Sequence, residues 1–492
     1  MNRTLAYTQG IISAFVMSIL FCCLLSSTLR AQEISISPEV NIRNYFSYEL
    51  LGKISDRYLI YRDKGFLKEV DVFNEFMEHT QHAELVFEKK KTDIISTIGL
   101  DTSFQIIYGY LDNDSLFVKM RRYDKKVSLV DSSLITKISK KDLKRSINSI
   151  ASENKSKLLL YTINNNDELD LYLYDNNKNR LAIYRRLQFP PDINLRSDMK
   201  EMVLSEKGEL SLLLYKQDGG GTKSDQVKCF HYSLFSDKGN LVSISLSDRI
   251  RRDIHLDYDN LNDKIIISGL YSERKTRDNS GVFLISKSPY DLVENEQAKL
   301  IPFSESLISE VSRTRKKKNK IFEHFTFKDI IKRQDGGVIM VMELAKEFSR
   351  RSSYATNYSR STSYNSHIRR GWVDYYNEDI IVSSISPDGT IDWSKILYKK
   401  QFSQDDDALF SSFYIMLTPS RMRMLYNDEI KSSNTVSEYI VDPGGNIARN
   451  SLLSTDNQNV KLRFRDAVQL GSNELLVPSE SNFNLSLVKI TY

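Results

Sequence analysis

The sequence predicts an all-β fold: a single β-propeller, most simply of eight four-stranded blades, with seven as the alternative. Three observations carry this. Short apolar runs recur about every 55 residues, at 104–108, 158–161, 210–215, 265–267, 338–342 and 474–477, and strand units repeating at such a period stack radially or linearly. Gly-rich hairpin signals mark the units: Asp237-Lys-Gly-Asn240, Pro387-Asp-Gly-Thr390 and Pro443-Gly-Gly-Asn446 each separate an expected third and fourth strand. The last unit shows only three clear strands before Tyr492, so its outer strand must come from elsewhere. Residues 33–40 suit it, and closure by that N-terminal strand would remove the open edges of the ring.

In chain order, residues 1–31 read as a signal peptide. Arg3 precedes an apolar core over 11–25, and Leu29-Arg30-Ala31-Gln32 supplies a cleavage site after Ala31. The core is short for a membrane anchor. Bulky Phe21 ahead of Cys22 and Cys23 argues against lipidation. Residues 32–492 would then form the propeller domain, exported to the periplasm or the exterior. That mature chain keeps one cysteine, Cys229, so it can form no internal disulfide and must rely on a large core. Its formal charge falls from +5 to +3 once Arg3 and Arg30 are removed, which does not point to nucleic acid.

The blades are expected at 43–88, 92–137, 144–187, 198–247, 249–302, 323–401, 409–454 and from 461 onward, with 140–152 able to form a short helix. Tandem sandwiches would need longer repeats. A membrane barrel would need strict alternation, which Leu485 and Leu487 break near the C-terminus. Gly389-Thr-Ile-Asp-Trp393 resembles the Gly-x-x-x-Trp corner of quinoprotein-like eight-bladed propellers. That resemblance implies that Trp393 docks between neighbouring blades, and implies no quinone. In organisation the chain also resembles exported propeller proteins of Gram-negative bacteria.

Catalytic signatures are thin, and no catalytic, cofactor or metal residue is assigned. His79 and His82 stand three apart, so on a regular strand they face opposite ways and cannot chelate together. Gly219-Gly-Gly-Thr-Lys-Ser224 lacks the glycine before lysine of a phosphate loop and is expected to join two strands. Asp405-Asp-Asp407 reads as an acidic turn, with calcium as the alternative.

Two insertions, at about 304–321 and 348–376, are the functional lead, because loops this long in a compact domain are usually functional or disordered. In a propeller both would rise from one face, as a d–a and a b–c connection. Lys316, Lys317 and Lys318 in the first, with Arg369, Arg370, Trp372, Tyr375 and Tyr376 in the second, form an expected basic-aromatic recognition surface. The sequence therefore points to a non-enzymatic exported propeller that binds an envelope protein or glycan. The rivals are a carbohydrate-active hydrolase or lyase, discriminated by a carboxylate pair in the central channel, and a structural subunit of an outer-membrane assembly.

Overall fold

The computed structural model describes residues 32–142, 146–216, 227–274, 276–314, 320–350, 372–428, 435–454 and 460–492. The expected signal segment, the 219–224 glycine run, Lys316, Lys317, Lys318, Arg369 and Arg370 lie outside them.

Eight antiparallel sheets follow one another along the chain, each one blade with strands a to d from the axis outward. Blade 1 is Ser47–Ile54, Arg57–Asp63, Lys68–Phe73 and His79–Glu84. Blade 2 is Asp93–Gly99, Ser103–Asp112, Ser115–Asp124 and Leu129–Ser139. Blade 3 is Asn148–Ala151, Lys157–Ile163, Leu169–Asp175 and Arg180–Leu187. Its inner strand thus occupies part of the stretch that could have been helical. Blade 4 is Met199–Leu204, Glu209–Leu214, Val227–Ser233 and Lys238–Ser245, with Asn295–Gln297 added in parallel outside. In blade 5 the inner strand is split into Ile250–Arg251 and His255–Asp259, followed by Lys264–Ser272, Gly281–Lys287 and Lys299–Pro302. Blade 6 is Phe325–Lys332, Val338–Arg350, Trp372–Ile385 and Ile391–Leu397. Blade 7 is Phe413–Leu417, Met422–Asn427, Thr435–Val441 and Ile447–Ser454.

Blade 8 has Val468–Gln469, Glu474–Ser481 and Asn484–Thr491 from the C-terminus, and its outer strand comes from the N-terminal segment. Glu33–Ile36 pairs with the last strand from Glu33 opposite Thr491 to Ile36 opposite Val488. Val40–Asn41 resumes the pairing at Leu485 and Asn484. Pro38, which has no N–H to give to a ladder, falls in the interruption, and Ser37 keeps the two segments in line by exchanging bonds with Leu487.

The middle strands are buried on both faces because each blade is sandwiched between two others. Lys68–Phe73, Leu169–Asp175 and Glu209–Leu214 are buried at every position. The hydrophobic clusters straddle consecutive blades, and one joins blade 8 to blade 1 through Leu476, Leu485 and Leu487 against Tyr58, Ile60 and Phe73. Burial of each such side chain contributes about 1.5–3 kcal/mol, so the seam is held by core packing as well as by the closing strand.

Trp393 lies on the outer strand of blade 6 and donates its indole N–H to Pro443 O, 3.0 Å away in the blade 7 turn. Gly445, at φ +79°, makes room: a Cβ there would meet the indole at 2.6 Å. The interblade docking implied by the corner motif is therefore present at this one position. The c–d turn of blade 4 departs from expectation, because Asp237, not Gly239, takes the positive φ (57°), and Gly239 belongs to the following strand.

Candidate functional site

The b–c and d–a connections share one face of the ring, and among the described residues three clefts open there. Between blades 6 and 7 a cleft of about 620 Å³ is lined by Lys328, Glu343, Asn377, Asp407, Tyr414 and Arg465, among others. Two more, of about 380 and 360 Å³, lie at the tops of blades 1–2 and 3–4.

The 348–376 insertion is in part a β-ribbon. Strands b and c of blade 6 are 13 and 14 residues long, against 7 for strand d. Their pairing continues past the blade from Ala345 opposite Asn377 to Arg350 opposite Trp372, so the ribbon projects roughly 20 Å. A third strand, Gln401–Gln404, pairs with 374–377 and gives the projection a base. The acidic run Asp405-Asp-Asp407 clasps it: Val373 N donates to Asp405 Oδ1 at 2.8 Å and the Tyr375 hydroxyl donates to Asp407 Oδ1 at 3.0 Å. Desolvation and the Asp407 acceptor push the Tyr375 phenol up to about 12, so it acts as a donor at neutral pH. Tyr376 packs edge-on to Phe348 and against Phe402, at centroid distances of 5.7 and 5.0 Å. Of the expected recognition residues, Tyr375 and Tyr376 are thus brought together with the acidic turn, and Trp372 opens the returning strand. The 304–321 insertion begins as a helix, Glu305–Thr314. Glu310 accepts from the Tyr398 hydroxyl at 3.0 Å, just past strand d of blade 6, which places both insertions on the same face.

Beneath the blade 6–7 cleft lies a buried charge cluster. Lys399, whose side chain is 0% exposed, sits 2.5 Å from Glu343 Oε1. Lys328 approaches Glu343 Oε2 at 3.1 Å and Asn377 donates to it at 2.9 Å. Burial pushes the Lys399 ammonium below its ordinary range even with Glu343 against it.

The channel carries a second constellation that the sequence did not reveal. Glu201 on blade 4 accepts from Leu256 N, and Asp253 on blade 5 accepts from Phe327 N, so each carboxylate ties one inner strand to the next. His255 lies between them, 3.2 Å from Glu201 and 3.6 Å from Asp253. Burial disfavours its imidazolium, but the two carboxylates outweigh that and push it up to about 9. His255 is therefore a fixed cation at neutral pH, not a poised base. On the same inner strands enclosure raises both Asp257 and Asp329; Lys332 pulls both down, and the Asp257 charge raises Asp329 further. Asp329 itself is exposed and lines the blade 6–7 cleft. Lys332 is 3.3 Å from Asp257 and 3.2 Å from Glu153, and Asn260 donates to Glu153 at 3.0 Å. Side chains from blades 3, 5 and 6 thereby bridge the end of the channel opposite the ribbon.

The His255 clasp has a pH signature. Its pKa is raised on folding from 6.5 to about 9. The stability it contributes is therefore complete below pH 6.5 and is lost as pH rises through 9. Thermal melts of wild type and His255→Gln are expected to differ most near pH 6 and to converge above pH 9. A difference constant across that range would show that His255 acts only by packing.

His79 and His82 correct the sequence reading. A bulge at Thr80 shifts the register between Val72 and Phe73 and returns both rings to one side. His79 Nε2 and His82 Nδ1 both meet Asp71 Oδ1, at 2.9 and 3.0 Å. The cation of this cluster is already in place, because Arg62 Nε lies 2.6 Å from Asp71 Oδ2. Among the described residues no group of three or more His, Cys, Asp or Glu is arranged to hold a metal.

No family model matches the chain, and no curated protein matches it. Solved structures similar to it include the WD40 domain of SCAP from fission yeast, at 9% identity over 94% of this chain and 98% of that one, TM-score 0.40. The polysaccharide lyase Uly1 is similar at 8% identity over 83% and 91%, TM-score 0.41. The β-propeller domain of the Trilobed protease from Pyrococcus furiosus is similar at 9% identity over 85% and 98%, TM-score 0.35. These likenesses carry no argument about activity; the fold rests on the eight sheets described above.

Proposed function

We propose that this protein is an exported binding propeller that captures an envelope protein or glycan on its ribbon-bearing face. The observation that carries the reading is the blade 6 ribbon. Two strands extended beyond their blade, a third strand bracing them and an aspartate turn clasping them make a stiff projection beside the 620 Å³ cleft. A pre-organised projection loses less entropy on binding than a mobile loop. The residues joining its strands, 351–371, supply Arg351, Arg360, Arg369 and Arg370 with three tyrosines, groups suited to anionic and aromatic contact.

The test replaces 351–371 with an Asn-Gly turn, which suits a two-residue hairpin. The melting temperature is expected to stay within a few degrees, and capture of native envelope partners is expected to be lost. Capture that survives unchanged removes the ribbon from the function. Deleting 348–376 whole is a poorer experiment, because it would also strip Gln401–Gln404 of its partner strand.

One observation favours a second reading, a carbohydrate-active hydrolase or lyase: Asp257 and Asp329, on the inner strands of blades 5 and 6, both have raised carboxyl pKa values, as a general acid requires. On that reading Asp329→Asn abolishes polysaccharide cleavage and spares capture. Undiminished cleavage by the variant removes it.

A further inference from the structure

We infer that the cleft between blades 1 and 2 is a binding subsite for a neutral pyranose unit of a glycan. The inference rests on the binding reading above, whose ligand class it narrows. The cleft lies three blades round the ring from the blade 6–7 cleft. Its walls come from the connection into blade 1, the blade 1 b–c turn and the connection into blade 2, all on the ribbon-bearing face. Its volume, about 380 Å³, is within the range of small-ligand sites.

Two phenylalanines flank it, Phe46 at 82% exposure and Phe66 at 76%. Two large rings this exposed on one cleft cost solvation unless something covers them. The flanking turn is rigid. Phe46 N donates to Asp63 O at 2.8 Å, and Gly65 N donates to Asp63 Oδ1 at 2.7 Å. Gly65, at φ +84°, lets the Phe46 ring lie against the turn, since a Cβ there would meet the ring at 2.7 Å. Lys68 and Asp63 pair with each other at 3.3 Å. On the opposite wall Lys91 and Asp93 have no ion-pair partner among the described residues.

This chemistry selects the ligand. The apolar C–H faces of a pyranose match the electron-rich faces of aromatic rings. A free ammonium and a free carboxylate suit hydroxyls, which both donate and accept. The four charges of the lining cancel, as Lys68 and Lys91 offset Asp63 and Asp93, so the lining itself does not select an acidic sugar over a neutral one.

The experiment immobilises residues 32–492 on a sensor surface and titrates cellohexaose, mannohexaose and hexagalacturonate to about 10 mM, a concentration suited to weak single subsites. A neutral hexaose is expected to bind best. The double variant Phe46→Ala/Phe66→Ala should weaken it at least tenfold with an unchanged melting temperature, and Asp93→Asn should weaken it with Phe46 and Phe66 intact. The ribbon-replaced protein should bind the hexaose as wild type does, so failure of this subsite and failure of the ribbon reading are separable. The proposal is overturned if no hexaose binds, if hexagalacturonate binds best, or if the double variant binds as well as wild type.

Discussion

Glu343→Ala is expected to destabilise the ring by about 3–5 kcal/mol, the cost of stranding a buried charge. Lys399 is fully enclosed and has Glu343 as its ion-pair partner at 2.5 Å; it also donates to the Asn377 carbonyl and the Gln401 side chain and lies over the Phe413 ring. The lysine can escape part of the cost by losing its proton, since burial already holds it below its ordinary range. That makes the loss pH-dependent in a defined direction. In the variant the unfolded chain holds the Lys399 proton more tightly than the folded one, so stability must rise with pH up to the ordinary lysine range. Denaturant melts of wild type and variant between pH 7 and 10 measure this. A destabilisation under about 1 kcal/mol, or one that grows with pH, would contradict the buried-pair account. A double variant, Glu343→Gln/Lys399→Met, should recover much of the loss by removing both charges.

Removing residues 32–40 is expected to open the ring. The deletion takes away the ladder against Val488–Thr491 and the partly buried Ile34 and Ile36. At about 1 kcal/mol per hydrogen bond and a further 1–2 kcal/mol for each isoleucine, the loss is roughly 5 kcal/mol. It also bares the last strand, which becomes an edge that pairs with other copies. Light scattering should show association of the truncated protein, and a peptide of residues 32–41 should restore the monomer. A truncated protein that stays monomeric with an unshifted melting temperature would show that the packing of Leu476, Leu485 and Leu487 on blade 1 holds the seam without its strand.

The blades were legible because their middle strands are buried on both faces and so appear as uninterrupted apolar runs such as Ile265-Ile-Ile267. Closure was legible because the last unit lacked a strand and residues 33–40 had no other use. The ribbon was not. Its outer half mixes charged and aromatic residues without the apolar run of a blade strand, and its third strand, Gln401–Gln404, reads like a linker. The paired histidines were misread because a bulge at Thr80 breaks the period of two on which the reading depended. The channel cluster leaves no local trace at all. Glu153 and Lys332 stand 179 positions apart and meet only because the ring curves them together.

The seam also sets an order of events. The first described strand, at Glu33, finds its partner at Thr491, the second-last residue of the chain. That strand precedes blade 1 in the chain and its partner follows blade 7, so during synthesis it stays unpaired while each new blade docks on the one before it. Blades can accumulate as an open arc, but the circle closes only once Asn484–Thr491 has been made. A chain interrupted before Asn484 would therefore carry two unmatched edges, Glu33–Ile36 and the half-built eighth blade, each free to pair with a neighbouring copy.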